Sequence, residues 1–146
     1  MPYNKPIPIG DPFVAKPYWD GAREGRLMLP RCTACSRVHF YPRSICPNCG
    51  EMSIEWIVAS GEGYLHSFAV QHRAAGAWAE EVPFVTAFID LKEGDRVFSV
   101  LRGVDATKPF ELLAKIGGLC RIEWDEANEE QRIPYWRLVE GADDAK

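Results

Sequence analysis

The spacing of apolar residues changes along this chain and separates a helical start from a β-rich remainder. Between Phe13 and Ala22 the apolar residues recur as in a short amphipathic helix, which begins near Lys16 and ends at Gly25. From Ile54 onward apolar and polar residues alternate with a period of two, as in half-buried strands. The pattern predicts a mainly β protein with an N-terminal helix.

The period-two region predicts a small barrel. The expected strands are a long bent strand at 54–71, broken or bent at Gly61–Gly63, and further strands at 83–91, 96–101, 119–124 and 133–139. A short helix or turn at 109–115 precedes the last two strands. Short strands, glycine-marked bends and one helical insertion indicate an OB fold, a five-stranded partly open barrel, with a β-sandwich as the alternative.

Between helix and barrel, two Cys-x-x-Cys pairs carry the most specific signal. The pairs are separated by ten residues and consist of Cys32, Cys35, Cys46 and Cys49. Each pair supplies two thiolates from one tight turn, so the segment predicts a rubredoxin-like zinc ribbon with a structural Zn²⁺. A rubredoxin-type iron site would use the same ligands. Two disulfides are a weaker alternative, because no signal peptide is recognisable and the chain is expected to be cytoplasmic. A thioredoxin-like redox pair is weaker still, since two such pairs at hairpin spacing are a metal pattern.

The predicted organisation is an N-terminal arm and helix at 1–25, a zinc ribbon at 26–52, an OB-fold barrel at 53–140 and a disordered tail at 141–146. The first twelve residues contain four prolines, so they favour extended backbone. Their apolar Tyr3, Ile7 and Ile9 suggest either an arm that lies on a partner or a frayed terminus. No apolar run is long enough to span a membrane.

Charge is distributed unevenly around a net charge of −4. Residues 26–50 carry four arginines and no acidic residue, whereas residues 51–146 carry 10 basic and 18 acidic residues. The ribbon arginines partly neutralise the four thiolates, and some of them could also face a phosphate-bearing ligand or an acidic partner. An acidic barrel argues against nucleic-acid binding, which zinc ribbons and OB folds otherwise support.

No convincing catalytic constellation is evident from the sequence. His39 lies in the ribbon and is expected to be exposed or stacked, because four cysteines already close the metal site. His66 and His72 fall at an even separation on one predicted strand, so they are expected to share a face. Cys120 is predicted to be buried and inert. Trp78, in the alanine-rich loop at 73–82, either caps the barrel mouth or docks into another protein.

Together these elements resemble a known family. The resemblance covers roughly residues 13–140 and is carried by the segment 24–32, the four-cysteine ribbon, Gly61–Gly63, the loop and strand at 73–85, Leu91–Gly94 and the segment 117–122. The chain is similar to the small zinc-ribbon plus OB-fold proteins, long labelled a domain of unknown function, that accompany thiolases and other acyl-CoA enzymes. It departs from them at Ser36, where glycine is frequent.

The resemblance implies a non-catalytic subunit of a hetero-oligomer. Members of the family associate with thiolase-fold enzymes, aldolases or hydratases and help form or cover the acyl-CoA channel; the small subunit of benzoylsuccinyl-CoA-type thiolases is of similar size. Autonomous acyl-CoA hydrolysis with His66 or His72 as base, and nucleic-acid binding, are the rival hypotheses. Arginine pairs well with phosphate, so Arg31, Arg37 and Arg43 are predicted to contact the nucleotide end of CoA. The ribbon is expected to be semi-detached and able to close over a channel.

Overall fold

The computed structural model describes residues 2–10 and 12–141, so most of the predicted tail lies outside the described residues. The elements in chain order are α1 (Lys16–Arg23), β1 (Met28–Cys32), β2 (Ile54–Val58), β3 (Glu62–Gln71), a 3₁₀ helix (Gly76–Glu80), β4 (Phe84–Leu91), β5 (Arg96–Arg102), α2 (Pro109–Leu113), β6 (Leu119–Glu126) and β7 (Arg132–Leu138). Within the described ranges, no helix is both long and apolar enough to cross a membrane.

Strands β3 to β7 form a closed barrel in the order β3-β4-β5-β7-β6. All neighbouring pairs are antiparallel except β5 and β7, and β3 pairs with β6 to close the barrel. Numbered within the barrel, the order is first, second, third, fifth, fourth, and α2 lies between the third and fourth strands. The fold is therefore mainly β with an N-terminal helix and an OB-fold barrel, which confirms the sequence prediction.

The barrel core is formed by apolar side chains on the inward faces of the strands. Inward-facing Leu65, Ile89 and Leu101 are at most 3% exposed, and Trp136 on β7 is 2% exposed. The first residues of the ribbon join the same core, because Leu27 and Leu29 belong to one apolar cluster with these barrel side chains. Burying this apolar surface from both parts holds helix, ribbon and barrel together.

The predicted long strand at 54–71 is wrong in one respect: its two halves lie in different sheets. Ile54–Val58 pairs antiparallel with β1 as a two-stranded sheet, from Met28 opposite Val58 to Cys32 opposite Ile54. Gly61, with φ of +74°, adopts a left-handed conformation that turns the chain into β3. The strand after the metal site therefore belongs to the base of the ribbon, and the barrel starts at Glu62.

The ribbon is also fastened to the barrel, which contradicts the expectation of a semi-detached unit. The Phe40 N–H donates to Asp95 Oδ2 at 2.6 Å, and the Ser60 N–H donates to Glu93 Oε1 at 2.6 Å. Both carboxylates lie in the turn between β4 and β5. Together with the shared apolar core, these contacts hold the ribbon against one end of the barrel.

The N-terminal arm lies on the chain's own barrel. The Tyr3 hydroxyl is 2.9 Å from the Tyr135 hydroxyl, and Lys5 Nζ is 2.9 Å from Glu81 Oε1. Lys5 also sits 5.0 Å from the centre of the Trp78 ring, which in turn packs on Phe84 at 5.0 Å. Of the two sequence-based options for Trp78, the structure shows the first: the side chain folds back onto the barrel.

Candidate metal centre

The four ribbon cysteines meet at one point. Their sulfur atoms all lie within 4.8 Å of one another. The Cys32 and Cys49 sulfurs are 3.6 Å apart, and those of Cys35 and Cys46 are 3.7 Å apart. A tetrahedral ion with Zn–S bonds of about 2.3 Å separates its sulfurs by about 3.8 Å, so the arrangement fits zinc with four protein ligands. Such a site has no open position, which makes it structural.

Two equivalent turns present the sulfurs. The Ser36 N–H donates to the Cys32 carbonyl at 2.8 Å, and the Gly50 N–H donates to the Cys46 carbonyl at 2.9 Å. Both turns end in the left-handed region, with φ of +63° at Ser36 and +81° at Gly50. The Asn48 N–H points at the Cys46 sulfur at 3.4 Å. A backbone hydrogen bond from Arg37 and a side-chain hydrogen bond from Asn48 lower the pKa of Cys35 to about 6.

Ser36→Gly is expected to tighten metal binding. A non-glycine residue in the left-handed region destabilises the folded ribbon by about 1–2 kcal/mol. Glycine removes this strain but loses more conformational entropy on folding, so the folded ribbon is stabilised by about 0.5–1 kcal/mol net. Folding and metal binding are coupled in such ribbons, so zinc retention against a chelator should rise about two- to fivefold. Gly50→Ser is the matched control, and its zinc retention against the chelator should fall by a similar factor. Equal retention in both variants would contradict the assignment of strain to Ser36.

One of the two expectations for His39, an exposed position, is wrong. It was expected to be exposed or stacked, yet it is 3% exposed, and neither ring nitrogen has a hydrogen-bond partner among the described residues. It lines a cavity of about 560 Å³ between the ribbon and the β4–β5 turn, together with Arg37 and Glu93. The residues of that turn lie more than fifty positions later in the chain, so the local sequence does not signal that they share a cavity with His39.

The other two histidines are exposed, whereas Cys120 is buried. A register shift between Leu65 and Ser67 places a bulge at His66, so the strict alternation that would align His66 with His72 is broken. His66 is exposed, with Nδ1 3.3 Å from Asp90 Oδ2. Cys120 is fully buried on β6, as predicted, and burial raises the pKa of its thiol to about 12. A thiol with that pKa is a poor nucleophile at neutral pH.

The three candidate CoA-binding arginines have different surroundings. Arg31, on β1, is committed to Glu55 on β2, with Nε 2.6 Å from Oε1. Arg37 and Arg43 are exposed in the ribbon, and the structure gives neither an ion pair with any described residue. Arg37 and Arg43 are thus the ribbon arginines available to an external anion, whereas Arg31 also stabilises the β1–β2 sheet.

The fold and the four-cysteine site define a zinc-ribbon OB-fold protein. Residues 19–54 match the family model "ChsH2, rubredoxin-like zinc ribbon domain", and residues 56–125 match "ChsH2, C-terminal OB-fold domain". In the solved structures, a chain of the "Ltp2-ChsH2(DUF35) aldolase" superposes with a TM-score of 0.75 at 30% identity, over 90% of this chain and 98% of that one. The chain belongs to this ChsH2-type DUF35 family.

Three curated relatives carry subunit or scaffold names, and two of these names refer to acyl-CoA enzymes. A "probable enoyl-CoA hydratase alpha subunit" of Thermomonospora curvata is 32% identical over 82% of this chain and 36% of its own length. A "DUF35 domain-containing scaffold protein" of Methanocaldococcus jannaschii is 38% identical over 46% of this chain and 48% of its own. The "benzoylsuccinyl-CoA thiolase subunit BbsA" of Thauera aromatica is 33% identical over 50% and 49%. The chain thus spans half or less of the length of these three relatives.

Proposed function

We propose that this protein is a non-catalytic, zinc-binding accessory subunit of an acyl-CoA-processing complex. It docks on a catalytic subunit and helps to bind or enclose the acyl-CoA, and a thiolase is the leading candidate for that subunit. The observation that carries the proposal is the match of both ribbon and barrel, over 90% of the chain, to the DUF35 chain of an aldolase structure. The subunit and scaffold names of the relatives support the same role, and the thiolase name supports the finer assignment.

The chemistry of the chain's own residues supports a non-catalytic role. The metal site uses four cysteines and leaves no position for substrate. The exposed His66 is held beside Asp90 and Arg96, and the thiol of Cys120 is buried. His66 faces solvent whereas the Cys120 sulfur is buried inside the barrel, so among the described residues these two groups do not form a nucleophile–base pair.

The outer face of the barrel supports docking. Phe88 on β4 and Phe98 on β5 lie opposite each other, with ring centres 5.1 Å apart. They are 45% and 50% exposed, so a pair of large aromatic side chains faces solvent in the isolated chain. Aromatic residues are enriched at the centres of protein interfaces, where they gain most from being buried.

Recovery of the partner tests the proposal. An affinity-tagged copy expressed in the native source should retain an acyl-CoA enzyme, and thioester chemistry should require both chains. Phe88→Ser should reduce that recovery, whereas Ala69→Ser, an exposed position on β3, should not. Thioester hydrolysis by the isolated chain at enzyme-like rates, abolished by His66→Ala or His72→Ala, would overturn the accessory role. Oligonucleotide binding that falls steeply with salt would instead support a nucleic-acid module.

We further propose that the exposed ribbon arginines contact the phosphates of CoA. Replacing Arg37 or Arg43 by alanine should weaken CoA binding by the complex by about 1 kcal/mol, or roughly fivefold, because each removes a charge-assisted hydrogen bond near the surface. Arg31→Ala should have a smaller effect on CoA, since Glu55 already engages its guanidinium. Calorimetric titration of the assembled complex with CoA measures this.

The control for the arginine experiment is Arg73→Ala, an exposed arginine after β3 and outside the ribbon. It should leave CoA affinity unchanged. Zinc content and complex assembly should be the same in all four variants. If Arg37→Ala and Arg43→Ala bind CoA as tightly as the parent, these arginines only neutralise the thiolates or hold the partner.

A further inference from the structure

A second cavity opens where helix, ribbon and barrel meet. Its volume is about 520 Å³, within the range of about 300–1,000 Å³ that is usual for small-molecule sites. Aromatic side chains from all three parts form much of its wall: Tyr18 and Trp19 from α1, Phe40 and Tyr41 from the ribbon, and Phe98 and Trp136 from the barrel. The cavity therefore exists only because the ribbon is packed against the barrel.

The lining of this cavity selects an uncharged ligand. None of its lining residues carries a formal charge at neutral pH, and the only polar side chains are Ser99, the two tyrosine hydroxyls and the indole N–H groups. Burying a charged group without a partner is strongly unfavourable, so an ion would not enter. Tyr18 stands edge-on to Trp19 with ring centres 5.0 Å apart, and lies 5.7 Å from Phe40. Flat rings pack well against such walls.

The cavity has a buried floor and an exposed rim. Trp136 and Tyr18 at the floor are 2% and 8% exposed, whereas Tyr41 and Phe98 at the rim are 56% and 50% exposed. Pro42 also lines the cavity, and the exposed Arg43 follows it directly in the chain. A ligand with an apolar ring at one end and a polar group at the other matches this arrangement, with the ring at the buried floor and the polar group at the exposed rim.

We propose that this cavity binds the acyl part of a ring-bearing acyl thioester, leaving the CoA moiety outside at the ribbon. Only the identity of the ligand as a CoA thioester rests on the proposed function. The preference for a neutral ring rests on the lining itself. Accordingly, ring-bearing acyl groups bind this subunit more tightly than short aliphatic ones, and the subunit contributes to acyl-group selection in the complex.

Two uncharged truncated thioesters test the preference on the zinc-loaded full chain. S-benzoyl-N-acetylcysteamine carries the ring, and S-acetyl-N-acetylcysteamine lacks it. In ¹⁵N-labelled protein the benzoyl probe should shift the indole N–H signals of Trp19 and Trp136, which line the cavity, and leave that of Trp78 in place. The acetyl probe should bind about tenfold more weakly or not at all, because it buries far less apolar surface. Equal binding of both probes, or shifts confined to Trp78, would overturn the proposal.

Substitutions locate the site and protect the test against misfolding. Ser99→Phe should fill the cavity and abolish the shifts of the Trp19 and Trp136 signals. Ala69→Phe adds the same side chain at an exposed position of β3 and should leave those shifts unchanged. If Ser99→Phe loses its fold by circular dichroism, the exposed rim variant Tyr41→Ala takes its place and should weaken benzoyl binding several-fold. Unchanged binding in a folded Ser99→Phe chain would contradict the site. These measurements need no partner, so they are independent of the partner-recovery experiment. Ring binding without partner recovery would support the cavity assignment and contradict the accessory role. Partner recovery without ring binding would support the accessory role and contradict the cavity assignment.

Discussion

Cys46→Ser is expected to unfold the metal-binding part of the ribbon and to leave the barrel folded. Between residues 33 and 53 only His39 and Cys46 are buried, so this segment has almost no apolar core of its own. Its stability therefore depends on the ion, whose binding is worth about 10–16 kcal/mol in isolated zinc-finger peptides. The barrel, with Leu65, Ile89 and Trp136 in its interior, does not need the metal.

Elemental analysis and hydrogen exchange measure the two halves of this result. The parent should contain one zinc per chain, and Cys46→Ser should lose it together with amide protection in residues 33–53, while peptides from β4 to β7 keep theirs. Cys120→Ala is the matched control, since it removes a cysteine outside the metal site and should retain the metal. Iron in place of zinc would correct the metal assignment. A ribbon that stays protected without metal would contradict the dependence of its fold on the ion.

The metal centre could be predicted from sequence because its determinants are local. Each Cys-x-x-Cys pair fixes two ligands in one turn, and the ten residues between the pairs suffice to bring the turns together. The barrel strands could also be predicted, because one face of each strand is buried and apolar residues therefore alternate with polar ones along the sequence. Ile54–Val58 shows the limit: its alternation marked a strand, but not that its partner is Met28–Cys32 rather than a barrel strand.

What the sequence did not show depends on contacts between distant segments. His39 is buried beside a cavity that it shares with the β4–β5 turn, more than fifty residues later in the chain, and Asp95 of that turn accepts a hydrogen bond from Phe40 N–H. The same packing creates the apolar cavity and makes the ribbon part of the barrel's core. The charge distribution and the periodicity of the sequence do not indicate how the ribbon packs on the barrel. The ribbon was therefore expected to be semi-detached. A fastened ribbon changes the functional hypothesis, because any closure over acyl-CoA then has to come from the partner or from the whole subunit.

Gly63→Ala is expected to destabilise the barrel by about 3 kcal/mol while the chain keeps its zinc. Gly63 lies on β3, opposite Leu91 of β4 and Cys120 of β6, at the seam that closes the barrel. A Cβ there would come within 2.6 Å of the Asp90 carbonyl oxygen and 2.7 Å of Ile89 Cγ2. The carbonyl belongs to a paired strand and cannot rotate aside, so the strands must separate, which costs as much as severe overpacking of a core.

Gly76→Ala is the control for this backbone clash. Gly76 has φ of +59° and open space around the added Cβ, so alanine there should cost only about 1 kcal/mol from its left-handed conformation. Urea unfolding followed by far-ultraviolet circular dichroism gives both free energies, and elemental analysis gives the zinc content of each variant. Equal losses in the two variants would show that the seam at Gly63 tolerates a side chain. Loss of zinc from Gly63→Ala in the absence of denaturant would show that the ribbon cannot hold its metal once the barrel is weakened, since Leu27 and Leu29 then lack the core on which they pack.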